Sequence, residues 1–120
     1  MSPQDIANQY IATWNERDDG RRRRLVEETW TPDGAYVDPI MAGSGADAIS
    51  AMIGAAQRQF PEHYFALVSD VDAYGDRLRF SWMLAPIHAT PVALGTDFAE
   101  LAADGRLKSV AGFFDATPAP

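Results

Sequence analysis

No cysteine occurs in these 120 residues. Disulfides, thiol catalysis, iron–sulfur clusters and Cys-based zinc sites are excluded with it. Positive charge is also scarce, with 10 Lys plus Arg against 17 Asp plus Glu and a net charge of −7. Such a surface repels phosphate backbones and anionic lipid, so neither nucleic acid nor a membrane is an expected partner. No apolar run approaches the ~18 residues that a membrane helix needs. The start, Met1-Ser2-Pro3-Gln4-Asp5, lacks a basic segment followed by an apolar stretch. No secretory signal is read there, and a cytoplasmic location is expected. His63 and His88 have no carboxylates at matching ligand spacing, which argues against a metal site. There is no Gly-x-Ser-x-Gly elbow and hence no support for a serine nucleophile of that type.

What is present is the composition of a globular domain, 47% apolar and 22% charged. Ser2, Pro3 and Asp5 make a helix start, and Ile6, Tyr10 and Trp14 recur every four residues behind it, with Ala7 and Ile11 alongside. A short second helix is expected over 21–30, and Thr31-Pro32-Asp33-Gly34 reads as a turn. A short strand follows over 35–39 and ends at Pro39. Ser44 and Asp47 suggest a capped start for a third helix carrying Ile49, Met52, Ile53, Ala56 and Phe60, stopped by Pro61. The period then changes to two. Strands are expected over 63–71, 77–84, 92–102 and 107–115, with turns at Tyr74-Gly75-Asp76 and Asp104-Gly105. The order predicts an α+β fold, about three N-terminal helices packed on a curved mixed or antiparallel sheet. One domain spans 1–115, and 116–120 read as a flexible tail.

Three residues are candidates for chemistry. Tyr10 lies on the apolar stripe, so its ring faces inward, and its hydroxyl either sits at the rim of the core or meets a ligand. Asp38 ends the short strand before Pro39. It serves either as a turn-making carboxylate or as a general base at a pocket mouth. Asp97 shares one strand face with Ala93, Gly95, Ala99 and Leu101. If that face is buried, desolvation raises its pKa and lets it donate to a ligand oxygen. The competing reading buries the other face, with Thr96, Phe98 and Glu100.

Several segments resemble the nuclear-transport-factor-2-like superfamily, and within it the SnoaL-like and ketosteroid-isomerase-like members. They are Asn8-Gln9-Tyr10-Ile11-Ala12, Val37-Asp38-Pro39 and Gly95-Thr96-Asp97-Phe98 before Asp104-Gly105-Arg106-Leu107. The resemblance covers nearly the whole chain. It implies a cone-like fold and cofactor-free acid–base chemistry next to a carbonyl, as an isomerase or polyketide cyclase. Tyr10 and a protonated Asp97 would hold the oxyanion, and Asp38 would be the base. Between Tyr10 and Asp38 this chain is a few residues longer than the pattern. Gly112 stands where epoxide-hydrolysing relatives would need a second Asp, so that chemistry fits poorly. The superfamily also holds non-enzymatic members, and a ligand-binding or dimerisation module is the alternative function.

The expected partner is a hydrophobic small molecule. Its cavity wall is expected from Trp14, Phe80, Trp82, Phe98, Phe113 and Phe114, with His88 a candidate at the mouth. A homodimer through the convex sheet face is expected too, since apolar residues alternate on both sides of the late strands. Gly43-Ser44-Gly45-Ala46-Asp47-Ala48 matches a dinucleotide fingerprint, but an antiparallel meander follows it rather than a βαβ unit. Arg21 to Arg24 reads as a solvated helix face paired with neighbouring acids.

Overall fold

Ser2 and Asp5 close a reciprocal capping box at the first helix, α1 (Pro3–Asn15). The Asp5 amide donates to Ser2 Oγ, and the Ser2 amide donates to Asp5 Oδ2, each at 3.1 Å. The computed structural model describes residues 1–115. The expected tail, 116–120, lies outside the described residues.

The second helix, α2 (Asp19–Thr29), is capped by Asp18. It stops one residue before the sequence pattern suggests, because Trp30 opens strand β1 (Trp30–Val37). The expected turn at Thr31–Gly34 is instead an irregularity inside β1, where the pairing jumps from Trp30↔Leu107 to Ala35↔Ser109. The cause is the indole of Trp30, only 1% exposed. A Cβ at Gly34 would come within 2.8 Å of Trp30 Cδ1, so the strand bulges around a core tryptophan where only glycine fits.

A short strand that the pattern did not suggest, β2 (Ala42–Ser44), pairs back on β1. Ser44 is therefore part of the ladder and does not cap. Gly45 takes the N-cap position of α3 (Ala46–Gln59) at φ +83°, with no side-chain cap. The remaining strands are β3 (His63–Leu67), β4 (Asp72–Tyr74), β5 (Arg77–Pro86), β6 (Ala93–Leu101) and β7 (Leu107–Phe114). The expected strand over 63–71 thus stops at Leu67.

The sheet order is β2-β1-β7-β6-β5-β3, with β4 on β5. Only β1 and β7 run parallel; the other pairs are antiparallel. The fold is α+β with three helices on one face of a mixed, curved sheet that does not close. The helix-covered face carries Leu78, Phe80 and Trp82 of β5, Asp97 and Ala99 of β6, and Val110 of β7, all buried.

The basic run is not a uniformly solvated face. Arg22 is buried. It donates to Ser50 O, Glu16 O, Gln57 Oε1 and, at 2.5 Å, Asp19 Oδ1, tying α2 to α3. Arg23 stays at the surface and pairs with Glu27 and Asp47.

Candidate functional site

Three elements carry inward-facing polar groups to one place. α1 contributes Tyr10 because its apolar stripe must face the sheet. β6 contributes Asp97 by strict alternation with Gly95 and Ala99. β1 contributes Tyr36, and Asp38 follows directly after its last residue, two positions on and so toward the same side. Parallel pairing of β1 with β7 brings Asp38 near β6, since Gly112 of β7 is the direct partner of Asp97.

Asp97 is 2% exposed. The Tyr10 hydroxyl donates to its Oδ2 at 2.7 Å, and Trp82 Nε1–H donates to its Oδ1 at 3.0 Å. Burial raises the Asp97 pKa from the usual carboxylate range to about 6, against the pull of these two donors. The nearby charges of Asp38 and Asp115 add to the rise. Burial, then the Asp97 charge, pushes the Tyr10 phenol well above its ordinary value, so it stays protonated. The face carrying Phe98 is the exposed one.

Asp38 is partly exposed at the rim. Its Oδ1 accepts from the amides of Ile40 and Met41, each at 2.9 Å, and its Oδ2 accepts from the Tyr36 hydroxyl at 2.6 Å. The turn-making role is present, and it coexists with a position on the cavity. Tyr36 is buried, and its phenol is raised by desolvation first and by the charges of Asp97 and Asp38. Among the described residues neither Asp38 nor Asp97 makes an ion pair.

Gly112 shows how tightly the two pairs approach. A Cβ there would lie 2.9 Å from Asp97 Oδ1, 3.1 Å from the Tyr36 hydroxyl and 3.2 Å from Asp38 Cβ. Glycine is required because the side chains of Asp97, Tyr36 and Asp38 surround that point.

These groups form the polar end of a cavity of about 290 Å³. Its other walls are apolar and include Trp14, Phe65, Trp82, Leu84, Leu94 and Phe114. Tyr10, Asp38, Asp97, Trp14, Trp82 and Phe114 are thus brought together as expected. Three expected wall residues and the mouth candidate are elsewhere. Phe98 and Phe113 stack on each other on the opposite sheet face, 47% and 56% exposed, because both alternate out of phase with Asp97. Phe80 is core, packed edge-on beneath Tyr10 at 5.2 Å. His88 is exposed at φ +60° in the turn after β5. Tyr36, Phe60 and Phe65 were not anticipated. Alternation back from Asp38 would have found Tyr36; Phe60 and Phe65 carry no local signal, since their position depends on how α3 and β3 close over the sheet.

Trp14 Nε1 is buried and forms no hydrogen bond among the described residues. It lies near enough to Tyr10 to favour the phenolate slightly, a weak effect beside burial. No cluster of three metal-ligating side chains occurs among the described residues. No helix among them is long and apolar enough to cross a membrane.

The model of the SnoaL-like domain matches residues 7–110. Among solved structures, one from Agrobacterium tumefaciens, provisionally named an isomerase of the SnoaL-like family, is 44% identical with a TM-score of 0.90. The match covers 94% of this chain and 97% of that one. A protein from Jannaschia, provisionally named a SnoaL-like polyketide cyclase, shares the fold at 18% identity and a TM-score of 0.73, over 94% and 85% of the chains. A SnoaL-like protein of unknown function from Burkholderia thailandensis does so at 13% and 0.73, over 94% of each. No curated protein matches the sequence.

Proposed function

The chain belongs to the SnoaL-like domain family, with the nuclear-transport-factor-2-like fold, and from that premise we propose a cofactor-free acid–base enzyme. It moves a proton at a carbon next to a carbonyl in a hydrophobic substrate. The observation that carries this reading is that Tyr10, Asp97 and Asp38 share the polar end of one otherwise apolar cavity. The provisional name of the Agrobacterium relative, an isomerase, points the same way.

The substrate carbonyl lies toward Tyr10 and Asp97, and Asp38 takes the α-proton. The enolate oxygen is then held by the Tyr10 hydroxyl and by a protonated Asp97. Without substrate, Tyr10 donates to Asp97. An Asp97 pKa of about 6 keeps its protonated form accessible near neutral pH, and an arriving enolate charge raises it further. Asp38 returns the proton to a different carbon in an isomerisation, or the enolate attacks an internal carbonyl in a cyclisation. A pure dimerisation module is favoured less, because it has no use for an open cavity with a buried Asp97 at its polar end.

Exchange of the α-hydrogens of 2-tetralone in D₂O, followed by NMR, tests the reading. Wild type should exceed the buffer rate, and Asp38→Asn should lower it by about 10²–10⁴-fold while binding persists. Equal rates in both proteins would overturn the mechanism.

We also propose that a second copy of this chain covers the outer sheet face. That face exposes Phe98 and Val37 along a groove of about 960 Å³, with the exposed Phe113 stacked on Phe98. Phe98→Glu should convert a dimer to a monomer by light scattering; a monomeric wild type at tens of micromolar would overturn this.

A further inference from the structure

Trp82 stands in an unusual position. It is the direct cross-strand partner of Gly95, and its indole occupies the space where any side chain at 95 would stand. From there its N–H reaches Asp97 Oδ1. Its ring edges meet Phe65 at 5.7 Å and Phe114 at 6.4 Å, and Phe65 continues to Trp14 at 5.3 Å. One side chain therefore builds part of the apolar wall and holds one oxygen of the buried acid.

The space that remains is small. At about 290 Å³ the cavity lies at the small end of ligand pockets, about 300–1,000 Å³. One or two rings fit inside it, whereas a four-ring skeleton would extend beyond its mouth. Aromatic rings, Trp14, Phe65, Trp82 and Phe114 among them, make up much of the lining and favour a flat conjugated molecule over a branched aliphatic one. The polar groups lie at one end only, so such a molecule enters oxygen-first.

We propose that Trp82 sets substrate size, restricting the cavity to a planar carbonyl or enol compound of one or two rings with its oxygen against Tyr10 and Asp97. The proposal rests on the acid–base reading of the same cavity, which it deepens. Gly95 and Trp82 act as a unit: the glycine makes room for the indole, and the indole takes that room from the ligand.

The test compares two phenols that mimic an enol, 2-naphthol with two rings and estradiol with four, by calorimetric titration. Wild type should bind 2-naphthol at least about tenfold more tightly. Trp82→Leu opens the space over Gly95 and should bring the ratio to one or reverse it. Trp82→Phe keeps an aromatic wall but loses the N–H. It should shift both affinities in the same direction and keep the preference. Estradiol binding as tightly as 2-naphthol to wild type overturns the proposal, as does binding of neither. An unchanged ratio in a Trp82→Leu protein with native circular dichroism also overturns it. If that variant does not fold, Trp82→Met, which keeps more of the packing while removing the ring, takes its place under the same criterion. Failure of the acid–base reading is separate: 2-tetralone exchange would be the same in Asp38→Asn, with the size preference intact.

Discussion

The Tyr10–Asp97 pair and the Tyr36–Asp38 pair have the same chemistry in different surroundings. The first joins residues 87 positions apart, one on a helix and one on a strand, at 2.7 Å. The second joins residues two positions apart, Tyr36 on β1 and Asp38 just past its end, at 2.6 Å. Asp97 has lost its water and is held only by side chains, Tyr10 and Trp82. Asp38 keeps contact with solvent and takes two backbone amides besides its tyrosine. Burial outweighs two good donors at Asp97 and brings its pKa to about 6. A carboxylate's role is thus set less by its partner than by the water left beside it. That contrast is what the proposed acid and base need in order to share one cavity.

Removing one tyrosine at a time probes the contrast most strongly. Tyr10→Phe deletes a donor to the proposed oxyanion, and 2-tetralone exchange should slow by about 10²–10³-fold. If it leaves the rate unchanged, the deep pair is not the oxyanion site.

The next effect is on stability. Folded Asp97 holds its proton up to about pH 6, whereas the unfolded chain releases it near 3.8. Between those values the folded state binds more protons, so this contribution is full below 3.8 and is lost as pH rises through 6. Urea unfolding should show wild type gaining about 2–3 kcal/mol over Asp97→Asn on going from pH 7 to pH 4. A flat difference would mean that Asp97 is not desolvated.

Gly112→Ala forces a methyl between the two pairs, within 2.9 Å of Asp97 Oδ1 and 3.1 Å of the Tyr36 hydroxyl. It should cost about 1–3 kcal/mol in thermal unfolding and weaken 2-naphthol binding with it. Unchanged binding would place the pairs farther apart than this geometry has them. Tyr36→Phe should have the smallest effect, about 1 kcal/mol in stability. Asp38 keeps both amides, so the exchange rate should fall less than in Tyr10→Phe; a larger fall would make the rim pair the more important one.

Much of the fold could be read from local pattern. The α1 stripe, the β5 alternation of Leu78, Phe80, Trp82 and Leu84, and the glycine turns at 75 and 105 all stand where expected. The errors came where a distant contact overrode a local preference. Trp30 left its helix because the core had room for its indole. Ser44 gave up a cap for a strand pairing. Arg22 was drawn from a solvated-looking run into the contact between α2 and α3 by Ser50 and Gln57. Phe98 and Phe113 looked like cavity walls because hydrophobicity was weighed without the phase of alternation, which places both opposite Asp97.

Periodicity is a property of the backbone itself, so the inward aim of Tyr10, Trp14 and Asp97 needed nothing beyond the order of residues. What those side chains meet is a different matter. The parallel pairing of β1 with β7 puts Gly112 between two carboxylates, and Trp82 crosses to Gly95 and Asp97 from the neighbouring strand. Such contacts arise between segments far apart along the chain, through register and packing that no local window contains. Desolvation of Asp97, and with it the proton affinity the proposed chemistry needs, exists only once the helices close over the sheet.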